Sequence, residues 1–277
     1  MHARIQLRWS DMDAQRHVNN ARIADYLQEA RVHLLRGSGL LDQGVVVVNQ
    51  QVMYRRSIEY SSEPLDVELA ITELGGARVQ VGYVLRQFDE IVAEARTLLA
   101  PFDFDDQRPV RLSGAMRQHF EQHLEEWEPF STLDAPALEG RGTQTRHHIR
   151  WTDLDRYGHV NNMLVFEYLQ QARIEVSPQW SPTLERPGAG EAEYYWLVAR
   201  QDVEYIAQIH HSFEPLVVTT ALTRLGRTSL TSAAELHSAE GELVARGRTV
   251  IVCTDSEFRP CELPDRAGLE RHLICES

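Results

Sequence analysis

The chain has 277 residues, enough for two ordinary domains or one large one, and with 43% hydrophobic and 25% charged residues it is typical of a soluble protein. Its formal net charge of −13 argues against general nucleic-acid binding, which needs a basic surface. No apolar run approaches the ~18 residues of a membrane-spanning helix, and the N-terminus lacks the apolar core of a secretory signal, so we expect a cytoplasmic protein.

In chain order, the first half predicts an α+β unit. A short strand near residues 5–9 is followed by a helix over 21–35, where apolar residues recur at helical spacing. Alternating apolar residues then predict four strands, at 45–60, 65–74, 77–88 and 91–102. An amphipathic helix over 113–127 ends this half.

The second half predicts the same order of elements. A strand over 146–151 leads to a helix over 163–176, and a short helix over 264–273 ends the chain. The four strands are expected at 194–209, 215–225, 228–238 and 243–253. The segment 177–193 is rich in proline and glycine, which predicts an inserted loop after the long helix.

The order repeats because the sequence itself repeats. Residues 8–31 and 150–173 each contain the core Asp-x-Asp-x-x-x-His-Val-Asn-Asn, and shorter matches continue downstream. We therefore predict two domains of one architecture, 1–127 and 146–277, joined by a linker over 128–145. Two such domains are expected to pair as an intrachain pseudo-dimer, by the logic of two-fold contacts between like subunits.

Each copy of the repeated core supplies an aspartate, a histidine and a pair of asparagines where a strand meets the long helix. The aspartate could act as a general base or nucleophile, and the histidine could orient a ligand or transfer protons. The asparagines are suited to cap the helix, whose unpaired N–H groups could polarise a carbonyl. The residues are Asp13, His17, Asn19 and Asn20 in the first copy and Asp155, His159, Asn161 and Asn162 in the second.

Structural roles are the alternative for each of these residues. Asp11 and Asp153, the first aspartates of the two cores, are expected to bond the loop backbone. Metal binding is disfavoured, because magnesium and calcium sites recruit more carboxylates and zinc sites add cysteine or further histidine. The three cysteines, Cys253, Cys261 and Cys275, form no C-x-x-C pair and are expected to be reduced thiols.

At these residues the chain resembles the hot-dog-fold thioesterases of the 4-hydroxybenzoyl-CoA thioesterase type. The segment Asp153–Arg173 carries the family signature, and Asp11–Arg31 is similar, with Arg16 where the family often has glycine. The resemblance covers both halves, since each also has the strand that ends in Tyr54 or Tyr205 and the meander that follows. It implies tandem hot-dog domains, in which a curved antiparallel sheet wraps a long helix.

The resemblance also implies a chemistry. Such enzymes hydrolyse an acyl thioester without a metal or organic cofactor, at sites between two hot-dog units. Asp13 and Asp155 would be the catalytic carboxylates, with the thioester carbonyl held by N–H groups at the helix start. Family members often have a glutamate on the long helix; Glu29 could play that part, whereas Gln171 occupies the equivalent position, so the two sites need not be equally active.

The tandem arrangement is similar to plant acyl-acyl-carrier-protein thioesterases as well. Those enzymes carry Asp-x-Asn-x-His, whereas Gln15 and Tyr157 occupy the asparagine position here, which favours CoA over acyl carrier protein as the acyl donor. The resemblance therefore implies an acyl-CoA thioesterase of lipid metabolism, with the acyl chain between helix and sheet among apolar side chains. Candidate contacts for the CoA phosphates are Arg55, Arg56 and Arg200.

Three other functions remain open: an acyl-acyl-carrier-protein thioesterase, a hot-dog enoyl hydratase, and a non-catalytic acyl-CoA-binding module. The hydratases have a longer spacing between aspartate and histidine than this chain has. Acyl-CoA is the one expected partner, with neither nucleic acid nor membrane. The chain would be a monomeric pseudo-dimer or a homodimer of double hot-dogs.

Overall fold

The computed structural model describes residues 1–133, 137–184 and 193–274. The chain divides into two compact units, Met1–Thr132 and Leu133–Ser277, and the division falls inside the predicted linker. Each unit contains one long helix and an antiparallel sheet. Within the described ranges, no helix is both long enough and apolar enough to cross a membrane.

The first unit has a five-stranded sheet with a short additional strand. Its elements are β1 (His2–Ile5), a 3-10 turn (Trp9–Asp11), α1 (Arg22–Leu35), α2 (Leu40–Gln43), β2 (Val45–Tyr54), β3 (Leu65–Leu74), β4 (Val79–Gln87), β5 (Glu90–Asp103), β6 (Arg108–Pro109) and α3 (Gly114–Glu121). The strand order is β1-β3-β4-β5-β2, all pairs are antiparallel, and β6 pairs with β5.

The long helix α1 packs on one face of this sheet. Its buried residues recur every three to four positions, as Ile23, Ala24, Tyr26, Leu27, Ala30, Arg31, Leu34 and Leu35. They meet fully buried strand residues such as Leu69 and Val81, and each such aliphatic side chain contributes about 1.5–3 kcal/mol when buried. On the opposite face, the Trp127 ring lies so close to Gly82 that an added Cβ would come within 2.7 Å of it.

The second unit repeats this plan. Its elements are β7 (Thr143–His147), a 3-10 turn (Trp151–Asp153), α4 (Leu164–Trp180), a 3-10 turn (Pro182–Leu184), β8 (Tyr195–Tyr205), β9 (Leu216–Leu225), β10 (Ser229–His237), β11 (Leu243–Thr254) and α5 (Arg266–Glu270). The strand order is β8-β11-β10-β9-β7, again antiparallel throughout.

The predicted loop over 177–193 was wrong at its beginning. The helix α4 continues to Trp180 and includes Pro178 in its last turn. A proline inside a helix costs about 3 kcal/mol, but Val176 and Trp180 are both buried in the core of the second unit, and their burial offsets that cost. Residues 185–192 of the predicted loop lie outside the described residues.

The predicted helix over 113–127 was too long. Ser113 caps α3 by accepting a hydrogen bond from the Met116 N–H at 3.2 Å, but the helix ends at Glu121. The chain then runs beside β3, where Ile71 bonds His123 at 2.8 Å through its N–H. Backbone hydrogen bonds to the open edge of β3 therefore replace the last turns of the predicted helix.

The first strand also differs from its prediction, since β1 ends at Ile5 and residues 9–11 form a 3-10 turn.

Candidate active site

Both copies of the repeated core form a tight loop between a 3-10 turn and the long helix. In the first unit, Met12 and Val18 form an antiparallel bridge, and the Asp13 N–H donates to the His17 carbonyl at 2.8 Å. In the second unit, the Asp155 N–H donates to the His159 carbonyl at 2.7 Å. The sequence repeat is thus a repeat of backbone geometry, and it places the second aspartate of each core at the same point of its loop.

The backbone holds both of these aspartates in one orientation. Oδ1 of Asp13 accepts a hydrogen bond from the Gln15 N–H at 2.8 Å, and Oδ1 of Asp155 accepts one from the Tyr157 N–H at 2.8 Å. Both carboxylates are only partly buried. A carboxylate oriented by its own loop and open to solvent on one side is suited to act on water or on a bound substrate.

The first aspartate of each core has a structural role, as predicted. Asp11 is 2% exposed, and its carboxylate accepts from the Arg8 Nε at 3.0 Å and from the Tyr26 hydroxyl at 2.7 Å. Asp153 accepts from the Tyr168 hydroxyl in the same way, at 2.6 Å. These tyrosines lie on α1 and α4, so each buried aspartate ties its loop to the long helix. This role of the tyrosines was not predicted, although they recur at one spacing after the motif.

The prediction that the asparagine pairs cap the long helices was wrong in position. The cap residues are Ala21 and Met163, and neither side chain makes a capping bond. Asn19 and Asn161 act just upstream, where Oδ1 of each accepts from the N–H of that cap residue, at 3.0 and 3.3 Å. They stabilise a 3-10 turn that precedes the α-helix.

This turn also engages the first N–H groups of each helix, which were expected to be unpaired. In the first unit, Arg22 donates to the Asn19 carbonyl at 2.9 Å, and Ile23 donates to the Asn20 carbonyl at 3.3 Å. In the second unit, the corresponding bond from Val165 is also 3.3 Å long. The bonds from Ile23 and Val165 are long enough to be shared with a second acceptor, as is common at helix ends.

A tyrosine at the end of one strand fixes the same turn in each unit. The Tyr54 hydroxyl donates to the Asn20 carbonyl at 3.0 Å, and the Tyr205 hydroxyl donates to the Asn162 carbonyl at 2.8 Å. The strand-ending tyrosines that support the family resemblance therefore hold the start of the long helix against the sheet.

At one loop position, the two units differ in the free energy needed to hold the backbone in its left-handed conformation. Arg16 has φ 65°, and Gly158 has φ 79° at the equivalent place. A non-glycine residue in this left-handed region costs roughly 1–2 kcal/mol. A Cβ added at Gly158 would meet nothing within 4 Å, so backbone conformation alone explains why glycine suits this position.

The histidines also differ between the units. His159 forms an antiparallel bridge with His210, and their rings lie 4.8 Å apart. Burial lowers the pKa of His159, the neighbouring His210 lowers it further, and Asp155 opposes both effects. A lowered pKa favours the neutral form of His159 at pH 7, which is the form that can accept a proton. His210 was not predicted. The residue equivalent to it in the first unit is Glu59, because Ile58 and Ile209 accept the same backbone hydrogen bond in the two units.

Replacing His210 with glutamine is expected to raise the pKa of His159 towards the ordinary value of ~6.5, because a like-charged neighbour is removed. An NMR titration of the His159 ring protons would measure the shift. His211→Gln is the matched control, since His211 contacts Trp151 and Phe213 instead. An unchanged His159 titration in His210→Gln would contradict the assigned coupling.

The arginines proposed to contact phosphates lie in two different environments. Arg55 and Arg56 are exposed, with Arg55 Nε 2.7 Å from Glu94 and Arg56 Nη2 3.2 Å from Glu90. Arg200 is buried and donates through Nε and Nη2 to Asp202, at 2.8 and 2.7 Å. Removing one partner of a buried pair costs about 3–5 kcal/mol, so a phosphate is not expected to displace Asp202 from Arg200. Arg200 as a phosphate contact stays a prediction.

Other candidate residues lie apart from the loops. Glu29 is exposed on α1, and Gln171 is exposed on α4, where it bonds Glu175 at 2.8 Å. Among the described residues, no group of three or more His, Cys, Asp or Glu side chains is placed to hold a metal ion. Cys253 and Cys261 are free thiols whose sulfurs share a hydrogen bond at 3.5 Å, and Cys275 lies outside the described residues.

Known proteins match this chain in sequence. The family model described as the thioesterase-like superfamily matches residues 7–120 and 149–268. The long-chain acyl-CoA thioesterase FadM of Escherichia coli (strain K12) is 30% identical over 130 residues, which is 44% of this chain and 98% of FadM. FadM therefore has the length of one domain of this chain and aligns with less than half of it. This is expected if the chain contains two copies of that domain.

Solved structures match the chain over almost its whole length. A structure described as an oleoyl thioesterase from Lactobacillus plantarum has a TM-score of 0.71 at 14% identity, covering 91% of this chain and 94% of that one. The 12:0-ACP thioesterase from Umbellularia californica has a TM-score of 0.71 at 15% identity, covering 92% and 94%. A hot-dog-fold protein from Alicyclobacillus acidocaldarius has a TM-score of 0.54 at 11% identity, covering 91% and 92%. At these identities the likeness concerns the fold.

The predicted fold class is confirmed. Each unit has the single long helix and antiparallel sheet of a hot-dog domain, and the family model matches once in each. The two matched segments begin just before the two repeated cores and include both long helices. The chain therefore belongs to the thioesterase-like superfamily, with one copy of the family's domain in each half.

Proposed function

We propose that this protein is an acyl-CoA thioesterase, which hydrolyses acyl-S-CoA to a free acid and CoA without a metal or organic cofactor. The observation that carries the proposal is the pair of loops in which Asp13 and Asp155 are oriented by backbone N–H groups and remain partly exposed. Both loops lie in the segments that match the thioesterase family, and FadM is named as a long-chain acyl-CoA thioesterase.

In the proposed reaction, the aspartate carboxylate takes a proton from water as the water oxygen attacks the thioester carbonyl carbon. The carbonyl oxygen becomes an oxyanion, and the tetrahedral intermediate then releases the CoA thiolate, which is protonated. The long hydrogen bonds of Ile23 and Val165 offer N–H groups that can be shared with this oxyanion at the positive end of the helix. In the alternative route, the carboxylate attacks the carbonyl carbon directly and the C–S bond breaks to release the CoA thiolate, which is protonated. Water then cleaves the resulting anhydride, giving the free acid and restoring the carboxylate.

The histidines of the loops are proposed to support this chemistry. A neutral His159 can accept the proton from Asp155 and then pass it to the leaving thiolate, and His17 occupies the equivalent position in the first unit. Glu29 is proposed as an auxiliary carboxylate of the first unit, and Glu29→Gln tests it.

Substrate contacts are proposed on two surfaces. Oδ1 of Asn19 and of Asn161 already accepts a backbone bond, and the Nδ2 amides of these two side chains are the proposed donors to substrate, beside Asn20 and Asn162. Arg55 and Arg56 are the proposed contacts for the CoA phosphates. Exposed ion pairs such as theirs are worth only about 0–1 kcal/mol, so a phosphate can displace the glutamates.

The test is an assay of the full chain with a panel of acyl-CoAs, in which a thiol reagent detects released CoA. We expect release with at least one acyl-CoA, faster than with the corresponding acyl-acyl-carrier-protein. Absence of hydrolysis with every substrate would overturn the proposal. Loss of enoyl-CoA absorbance would instead indicate a hydratase, and thermal stabilisation by acyl-CoA without turnover would indicate a binding module.

The remaining proposals concern the protein in the cell. With acyl-CoA as the substrate, we propose a role in lipid metabolism and a cytoplasmic location. We propose a monomer or a homodimer of double hot-dogs, which sedimentation of the purified chain distinguishes.

A further inference from the structure

The first unit contains a group of polar side chains on the face of the sheet that meets α1. This interior polar cluster consists of Arg31 from α1, Gln50 from β2, Tyr83 from β4 and Thr97 from β5. Arg31 is 4% exposed, and the other three are 0% exposed. Gln50 and Thr97 lie directly opposite each other on paired strands. Burial raises the pKa of Tyr83, while the nearby Arg31 charge opposes this rise, so the helix cation lies close to the tyrosine hydroxyl.

The register of the sheet places all three strand residues on one face. Thr97 lies opposite Val81, and Tyr83 is two residues along the same strand, so their side chains share a side. Gly82, which lies between Val81 and Tyr83 in β4, is on the opposite face of the sheet, where Trp127 covers it. The cluster therefore lies between helix and sheet, where the acyl chain is expected among apolar side chains.

Gln50 is the strongest sign that something polar belongs there. Neither its Nε2 nor its Oε1 has a hydrogen-bond partner among the described residues. The Tyr83 hydroxyl, by contrast, interacts with the side chains of Thr97 and Arg31. A buried polar group left without a partner costs about 1–3 kcal/mol. A buried amide with both of its polar atoms unpaired is expected to persist only if a ligand or water satisfies it.

The second unit contains only part of this cluster. Gln201 pairs with Thr249 as Gln50 does with Thr97, and Arg173 is the equivalent buried arginine of α4. The residue equivalent to Tyr83 in the second unit, however, is Ala234. Tyr83 lies opposite the residue two before Thr97 on the neighbouring strand, and Ala234 lies opposite the residue two before Thr249. The complete set of four polar side chains is a property of the first unit.

We propose that the interior polar cluster binds a hydroxyl group carried far along the acyl chain, so that the first unit selects hydroxylated acyl-CoA over its unsubstituted counterpart. This inference rests on the proposed function. A hydroxyl can donate to Gln50 Oε1 and accept from Gln50 Nε2 or Tyr83, whereas a methylene would leave these atoms unsatisfied. A carboxylate could accept from the donors but could not satisfy Oε1.

The position of the cluster indicates where the hydroxyl must lie. Arg31 is about nine residues beyond Arg22, the start of α1, which is roughly 14 Å along the helix axis. The loop that holds Asp13 precedes that start. A hydroxyl near the thioester would therefore not reach Gln50, whereas one towards the far end of a long chain would.

The experiment compares kcat/KM for dodecanoyl-CoA and hexadecanoyl-CoA with their ω-hydroxy and ω-carboxy derivatives. For at least one length, we expect the hydroxylated substrate to be preferred by roughly tenfold or more, since sites that hydrogen-bond a substrate hydroxyl reject analogues without it. Gln50→Leu is expected to abolish the preference, and Gln201→Leu, the matched change in the second unit, is expected to keep it.

Three results would overturn the inference: equal rates with plain and hydroxylated chains, a preference for the carboxylated chain, or a preference that survives Gln50→Leu. A cluster filled only by water would give the first result. Gln50→Leu is expected to fold, because an unsatisfied amide is replaced by an apolar side chain of similar size. Tyr83→Phe provides a second variant that removes only a hydroxyl. If no acyl-CoA is hydrolysed at all, the proposed function fails instead.

Discussion

Replacing Asp13 and Asp155 together with asparagine is expected to lower kcat/KM for acyl-CoA by roughly 10²–10⁴-fold, the usual contribution of a positioned general base. An asparagine side chain can still accept the backbone bonds that Gln15 and Tyr157 now donate to Oδ1, so the loops should keep their shape. The measurement is initial CoA release, with the melting temperature as a check on folding.

Asp66→Asn is the control for this double variant. Asp66 is an exposed carboxylate on β3 that contacts His2, and its replacement is expected to leave the rate unchanged. Full activity in the double variant would exclude both aspartates as the catalytic carboxylates. The single variants divide the loss between the two units: two equal sites would each account for half of kcat, whereas one working site would account for nearly all of it.

The two sites are not chemically identical, which is why the single variants are informative. His159 lies against His210, whereas the first unit has Glu59 in place of His210. The loop of the first unit also contains Arg16 in a left-handed conformation that Gly158 adopts without cost. These differences concern the side chains and the backbone that surround the carboxylates, and they were visible in sequence only as mismatches within the repeat.

The parts of the fold that sequence predicted well depend on local pattern. Alternation in β3 and β4 and helical spacing in α1 fixed the type of these elements and placed their ends within a few residues. The end of α3 was not predictable in this way, because Leu124 fits a helical stripe equally well. Its real environment is the edge of β3, which is distant in sequence.

In the candidate site too, features that depend on local sequence were predictable, and features that depend on contacts between distant segments were not. The aspartates of the loops were found from the repeat, and the Arg200–Asp202 pair could have been found, since alternate residues of a strand lie on one side. The interior polar cluster could not, because Gln50 becomes significant only when α1 and three strands are assembled around it. The loops that hold the two aspartates were therefore predictable from the sequence, whereas the interior polar cluster was not.

Replacing Asp11 with alanine is expected to destabilise the first unit by roughly 2–4 kcal/mol. The change removes charge-assisted hydrogen bonds from Arg8 and Tyr26 and leaves the Tyr26 hydroxyl buried without an acceptor. Hydrogen exchange should accelerate throughout α1 while α4 is unaffected. Asp153→Ala should reverse this pattern, since Asp153 holds Tyr168 of α4. Equal acceleration in both helices with either variant would contradict the assignment of one buried aspartate to each helix.

The loss in Asp11→Ala should also depend on pH. Burial alone would raise the pKa of Asp11, but hydrogen bonds from Arg8 and Tyr26 outweigh burial and leave it below its usual range. A carboxyl with a lowered folded-state pKa contributes its stability above the unfolded value of ~3.9 and loses it as pH falls through the folded value. Chemical unfolding should therefore show a large difference in the free energy of unfolding between wild type and Asp11→Ala at neutral pH, and a smaller one in acid. A difference that does not change with pH would mean that the aspartate stabilises the unit through packing, and that its charge contributes nothing.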